Sequence, residues 1–351
     1  MAKEKWLIDL SEMDEFQRQI LELSTEDSYL IRGCAGSGKT ILALRRAHDI
    51  KIKSIAEKKP VSFTLLVYTK ALRSFIKSGV LELGLDLNQV VHYDVWDESA
   101  VDYIVVDEVQ DFDKEKIEAV RNAANISMML YGDSHQQVYH GKMSTEEIAD
   151  FLKLPQKELL RNYRLPKTIA SFVSHVSDDL LLENKCVKLG TEKPRIIKFA
   201  TWQQELDFIM NEIRTRNLTD TAILLPYNTK SAANYVPRNV HRNVESVSEY
   251  LDSQGFSHEF KMRDDNDWDR SDLDFDSELP KVLTWHSAKG LQFEAVFMPF
   301  CEYPYHDDWF VENYKKPLYV GLTRSYKHLY LTHSGNVSPF FKKIPPFKYD
   351  N

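Results

Sequence analysis

Cysteine is scarce in this chain, and the three present, Cys34, Cys186 and Cys301, lie far apart with no C-x-x-C pair. That excludes a disulfide framework and a thiolate zinc site, and it makes a reducing cytoplasm the expected location. Long apolar runs are missing as well. No stretch approaches the roughly 18 residues that span a bilayer, and the N-terminal MAKEKWLIDL lacks the apolar segment of a secretory signal, so a soluble protein without a membrane partner is expected. Nor is there a surplus of positive charge: the formal net charge is −8, which excludes a wholesale basic coat for polyanions. That negative charge is concentrated. The run DDNDWDRSDLDFDSE, Asp264 to Glu278, holds eight acids against Arg270. Outside it the chain is nearly balanced, so a nucleic-acid groove elsewhere is compatible with the composition. The run itself reads as a solvated loop.

What is present fits about two globular domains: 351 residues, of which 43% are hydrophobic and 28% charged. Short β-branched runs alternate with helical patterns. LLVY (65–68), YIVVD (103–107) and ISMMLYGD (126–133) read as buried strands, with helices after Lys39, Lys70 and Asp113. A second series follows in RIIKF (195–199), TAILLP (221–226), PKVLTW (280–285), AVFMP (295–299) and HLYLTH (328–333). Strands alternating with helices imply parallel α/β sheets. The expected division is 1–170, 171–336 and a basic tail over 337–351. Ser171 to Lys185 reads as one connecting helix, and no internal repeat at fixed spacing is visible.

The stretch GCAGSGKT, Gly33 to Thr40, meets the pattern G-x-x-x-x-G-K-[ST] between an apolar run and a helical one. Its glycines let the backbone curl so that the amides of Gly33, Ala35, Gly36, Ser37 and Gly38 face phosphate oxygens, while Lys39 reaches the terminal phosphates and the Thr40 hydroxyl binds Mg²⁺. The predicted ligands are thus a nucleoside triphosphate and Mg²⁺. YIVVDEVQD ends a strand in two carboxylates. Asp107 is placed to hold the metal and Glu108 to orient or deprotonate the attacking water.

Further along stand LYGDSHQQVY (130–139), LLRNYRLPKTIA (159–170), VLTWHSAKGLQFEAVF (282–297) and LYVGLTRS (318–325). In this order the set resembles superfamily 1 helicases of the UvrD/Rep type, over about residues 10 to 333. The resemblance implies two RecA-like parallel-sheet domains in tandem, with ATP in the cleft between them. It further implies that Gln17 reads the adenine edge, Tyr163 stacks on the base and Gln136 senses the γ-phosphate. Arg164 and Arg324 would stabilise the transition state as arginine fingers, and Gly290 and Gln292 would lie at the nucleotide. Tyr68, Thr69 and Lys70, with Tyr139, Thr284, Trp285 and His286, would contact single-stranded DNA, RNA remaining open.

Several positions depart from the family pattern. The expected tryptophan after GDSHQQVY is missing, which leaves Tyr139 and His140 as stacking faces. Gln292 replaces a glutamate expected at the ribose, and Ile41 replaces an arginine near the base. Both changes imply weaker nucleotide affinity. Lys70 to Tyr103 has room for one helix and a strand, and Arg195 to Pro280 is nearly filled by the second domain, so the inserted accessory subdomains of the family are expected to be absent. A translocase of minimal build is implied, with unwinding in the 3′ to 5′ sense. The alternative is an ATPase switch that controls a partner, such as a nuclease or effector subunit. Self-association is the other expected route to a missing function, with the acidic run or the basic tail as docking surface.

Overall fold

The computed structural model describes residues 7–137, 142–177, 179–228, 241–262, 273–302 and 308–351, without the side chains of 135 and 308–313. Tyr139, His140 and most of the acidic run lie outside these residues. One compact unit ends at Tyr163 and the other runs from Arg164 to Asn351.

The first unit is built on strands β1 (Tyr29–Gly33), β2 (Phe63–Val67), β3 (Val90–His92), β4 (Val101–Val106), β5 (Ala124–Gly132) and β6 (Gln156–Leu159). All pairs are parallel, in the order β3-β2-β4-β5-β1-β6. Leu30, Leu66, Ile104, Val106 and Leu130 point into one core with Phe112 and Ile117. The helices are α1 (Glu15–Leu21), α2 (Lys39–Glu57), α3 (Lys70–Glu82), α4 (Lys114–Ala123) and α5 (Thr145–Leu152). Their starts follow from local chemistry: Thr69 accepts from Leu72 N at 3.0 Å, Asp113 from Lys116 N at 2.9 Å, and Ser144 with Glu147 forms a capping box. Between β2 and β4 lie α3, two short 3₁₀ turns and β3, which is what the spacing predicted. Because β4, β5 and β1 are adjacent and parallel, the loops leaving their C-terminal ends sit side by side.

The second unit carries β7 (Arg195–Lys198), β8 (Thr221–Leu225), β9 (Glu259–Phe260), β10 (Lys281–Thr284), β11 (Phe293–Met298) and β12 (Ser325–His333). They form another parallel sheet, ordered β7-β12-β11-β8-β10-β9. Its helices are α6 (Lys167–Val173), α7 (Leu182–Lys185), α8 (Trp202–Thr215), α9 (Val244–Ser253), α10 (Asp308–Leu322) and α11 (Pro339–Lys342). The core joins Leu206, Ile209, Val247 and Leu251 to Ile223, Val282 and Phe297.

Three expectations need correction. The boundary falls at Tyr163/Arg164 and not after residue 170, because α6 crosses that point and buries Ile169, Ala170 and Phe172 as one element. The connecting helix is two short helices, since α6 stops at Ser174, whose hydroxyl turns back to Ser171 O at 2.9 Å. The C-terminal segment is packed and not a tail: Phe341 and Ile344 are buried, Phe341 stacks on Phe172 at 6.2 Å, and Ile196 N donates to Asp350 O at 2.8 Å. The sequence's basic residues there drew attention from the apolar ones that anchor it. Among the described residues, no helix is long and apolar enough to cross a membrane.

Candidate nucleotide site

The site starts where β1 ends. The loop from Gly33 turns through Gly36 and Gly38, both at positive φ (81° and 92°), and delivers Lys39 as the first residue of α2. The Lys39 ammonium is buried and donates to Gly33 O at 2.7 Å and Cys34 O at 3.1 Å, so it lies across the mouth of the loop. Ser37 Oγ is buried there without a hydrogen-bond partner among the described residues. A buried ammonium on carbonyls and an orphan hydroxyl are what an anion-binding loop presents.

The neighbouring strand ends add a linked chain of side chains. Thr40 Oγ1 donates to Asp107 Oδ2 at 2.6 Å, and Asp107 Oδ1 accepts from Glu108 N at 3.0 Å. Gln110 Nε2 donates to Glu108 Oε2 at 2.6 Å, while Gln110 Oε1 accepts from Asp133 N at 3.0 Å. Gln136 Nε2 closes the chain on Asp133 Oδ2 at 2.7 Å. Thr40, Asp107, Glu108 and Gln136, expected at one site, are therefore brought together by β1, β4 and β5. Glu108 holds φ 60°, a left-handed conformation that costs a non-glycine residue energy and turns its carboxylate away from the strand line. Burial and the adjacent Glu108 push the Asp107 carboxyl up to about 6.

A buried carboxylate beside a threonine hydroxyl, once ionised, offers two oxygens to a divalent cation. Mg²⁺ takes one or two protein oxygens and completes its shell with water and phosphate, so Thr40 and Asp107 suffice to hold it. MgATP bound here would supply the phosphoanhydride and the cation that polarises it; the chain supplies Lys39, the loop amides and Glu108.

A second flank of the loop is built by α1. Asp14 caps it, accepting from Gln17 N at 2.9 Å, and Gln17 Nε2 reaches Ser37 O at 3.3 Å. Tyr163 donates its hydroxyl to the same Asp14, and its own N–H meets Gly36 O at 2.9 Å. Asn162 donates to Ala35 O. Gln17 and Tyr163 thus flank the loop.

In the second unit, Arg164 Nε donates to Gln292 Oε1 at 3.3 Å, and Gly290 sits at φ 81°. Arg324 is fully buried and bonds Val320 O at 2.8 Å, Thr323 Oγ1 at 2.9 Å and Leu291 O at 3.4 Å.

The expected nucleic-acid aromatics are placed differently from the stacking faces anticipated. Tyr68 is buried and stacks on Tyr93 at 4.8 Å, with Phe112 close by. Trp285 is 4% exposed, donates its indole N–H to Leu224 O at 3.2 Å and meets Tyr314 edge-on at 4.6 Å. Both rings complete cores. Thr69 caps α3, Lys70 opens it, and Thr284 is buried with its hydroxyl donating to Ser287 Oγ at 3.0 Å. Burial and Lys289 push His286 down to about 4, so it is neutral near pH 7.

Sequence reasoning missed Gln110, Asp14 and Asn162. Gln110 lies inside DEVQD, where attention went to the carboxylates. Asp14 was signalled by the D-x-x-Q spacing of a capping box.

A glycine-rich loop on a parallel sheet, with a hydroxyl and two carboxylates at adjacent strand ends, is an arrangement suited to a phosphate-bearing ligand. Residues 281–332 match the family model of the UvrD-like helicase C-terminal domain. The chain is 24% identical over 198 residues to a probable DNA helicase II homolog of Rickettsia conorii, covering 53% of this chain and 30% of that protein. It is also 24% identical over 265 residues to a probable DNA helicase of Mycoplasma pneumoniae, covering 71% and 46%. The chain thus spans less than half the length of these curated relatives. An arterivirus nonstructural protein 10 (helicase) structure aligns at TM-score 0.47 and 15% identity, over 90% of this chain and 62% of that one. Residues 281–332 thus resemble the C-terminal domain of UvrD-like helicases, and the chain is similar to proteins named as DNA helicases.

Proposed function

We propose that this protein hydrolyses MgATP and uses the cycle to move along single-stranded DNA in the 3′ to 5′ sense, in the cytoplasm. The observation that carries the reading is the unbroken chain Thr40–Asp107–Glu108–Gln110–Asp133–Gln136 beside the loop. Lys39 and the loop amides hold the phosphates, Thr40 and Asp107 hold Mg²⁺, Glu108 directs the water and Gln136 responds to the γ-phosphate. Gln17 and Tyr163 take the base, and Gln292 accepts from the ribose through its carbonyl oxygen. Arg164 and Arg324 reach the nucleotide when the two units close on it, so turnover depends on closure.

One observation favours a second reading, an ATPase switch acting on a partner nuclease or effector, or on a second copy. Tyr68 and Trp285 are both committed to packing, and base stacking is worth about 1 to 3 kcal/mol per base. Grip on a strand then falls to Thr69, Lys70, Thr284 and His286. ATP turnover with and without single-stranded DNA or RNA, followed by strand displacement, tests both readings. Stimulated turnover with displacement supports the motor. Turnover without displacement supports the switch, and absence of turnover removes both.

A further inference from the structure

We propose that Arg46 is a positioning residue for base recognition, fixing α1 against α2 so that Gln17 stands at the rim of the loop. The proposal rests on the nucleotide reading above. Arg46 lies two helical turns after Lys39 on α2 and is 1% exposed. Its Nη2 donates to Ile20 O at 2.7 Å and its Nη1 to Leu23 O at 2.8 Å. These are carbonyls of the last turn of α1 and of the turn that closes it, at the negative end of the helix dipole, and Ile20 O otherwise takes a long bond from Leu23 N at 3.4 Å. The preceding residue acts at the other end: Arg45 Nη2 donates to Ile8 O at 2.8 Å. Consecutive arginines of the helix that the loop opens therefore hold the N-terminal segment on both sides of α1.

Between those two points there is no slack. Gln17 Nε2 touches Ser37 O at 3.3 Å, and a Cβ on Gly38 would lie only 2.6 Å from the same nitrogen. Asp14, which caps α1, also receives the Tyr163 hydroxyl, so moving α1 moves both groups assigned to the base. Packing alone does not call for an arginine here. A methionine would fill the space without burying a charge, whereas a guanidinium fork satisfies two separate carbonyls at once. The phosphate side of the site, with Lys39, Thr40 and Asp107, is held by other contacts. Arg46 should therefore govern which base is preferred and leave the grip on phosphate untouched.

The test is equilibrium binding of ATP, GTP and inorganic tripolyphosphate, with Mg²⁺, to the full chain and to Arg46→Met and Arg46→Lys. Arg46→Met should weaken ATP about 3- to 10-fold, the worth of one lost hydrogen bond, weaken GTP by less, since it loses only the stacking on Tyr163, and leave tripolyphosphate unchanged. Arg46→Lys, with one point donor in place of the fork, should recover part of the preference, and it serves alone if circular dichroism shows Arg46→Met unfolded. An equal loss for all three ligands, or no loss for ATP, overturns the proposal. A parent chain that binds ATP and GTP alike overturns it too while sparing the nucleotide reading; a parent that binds none of the three removes both.

Discussion

The same edge of the two sheets is finished in opposite ways. In the first unit, side chains at the ends of β1, β4 and β5 bond mainly to one another and to the loop, and Ser37 Oγ is left without a partner among the described residues. In the second, polar side chains from the strand ends and from the segments packed over them bond mostly to the backbone leaving the strands. Trp285 donates to Leu224 O, Glu205 accepts from Phe300 N and Thr332 Oγ1, and Arg242 donates to the carbonyls of Phe300 and Glu302. A parallel sheet offers a site at the carboxyl ends of its strands, but the side chains decide whether it is kept open or filled. Here one is kept and one is filled.

The sharpest way to break that contrast is Trp285→Ala. Truncating a large, buried aromatic side chain typically costs about 3 to 5 kcal/mol, so the variant should melt well below the parent. A Trp285→Ala protein with parental thermal stability but lost response to single-stranded DNA would mean that the ring faces substrate and not the core. The matching change in the first unit is Glu108→Gln. It should lower the hydrolysis rate at least about 100-fold while ATP binding and melting temperature hold, because the water loses its base but the loop is intact. Near-parental turnover would remove Glu108 from the chemistry.

Gln110→Ala probes the link between the two carboxylate-bearing strand ends. Its amide bonds both Glu108 and the Asp133 backbone, so turnover should fall about 10-fold, less than for Glu108→Gln, with the loss in kcat. A rise in KM at constant kcat would make Gln110 part of nucleotide binding instead.

The kept site was far more legible in the sequence than the filled one. GCAGSGKT and DEVQD declare themselves because phosphate and metal binding need fixed residue types at short spacing, and the apolar runs around them have strand length. Trp285 was hard to read because an aromatic beside a motif looks the same in sequence whether it packs or stacks. Only the approach of Leu224 and Tyr314, far away in sequence, decides. β6 was unread for a different reason: QKEL has the composition of a surface turn, and it becomes a strand by pairing with β1. The packed C-terminal segment likewise depends on Phe172 and β7, which no local pattern names.

The smallest effect at neutral pH is expected from Glu205→Gln, yet it tests whether the second sheet's polar groups are purely structural. Glu205 is fully buried; burial, then the neighbouring Glu302 carboxylate, push it up to about 7 from 4.5. Its Oε2 takes both hydrogen bonds from Phe300 and Thr332, so Oε1, which has no partner among the described residues, is the atom left to carry the proton. Burial also works to raise Glu302, but Arg242 and the Ser334 and Gly335 amides outweigh it and hold that carboxyl low. The folded chain thus keeps a proton on Glu205 that the unfolded chain has released. Stability from this group is fully present below about 4.5 and is lost as pH rises through about 7. Glutamine mimics the protonated form, with its N–H₂ in place of the Oε1 hydroxyl. Denaturant melts of parent and Glu205→Gln should therefore nearly coincide at pH 5, with the variant becoming the more stable of the two by pH 8. Taking the difference cancels other groups that titrate nearby, including His241, which burial pushes down to about 4. A difference that is flat with pH would show that Glu205 is ionised in the fold, and that the filled edge of the second sheet still carries a charge for something to meet.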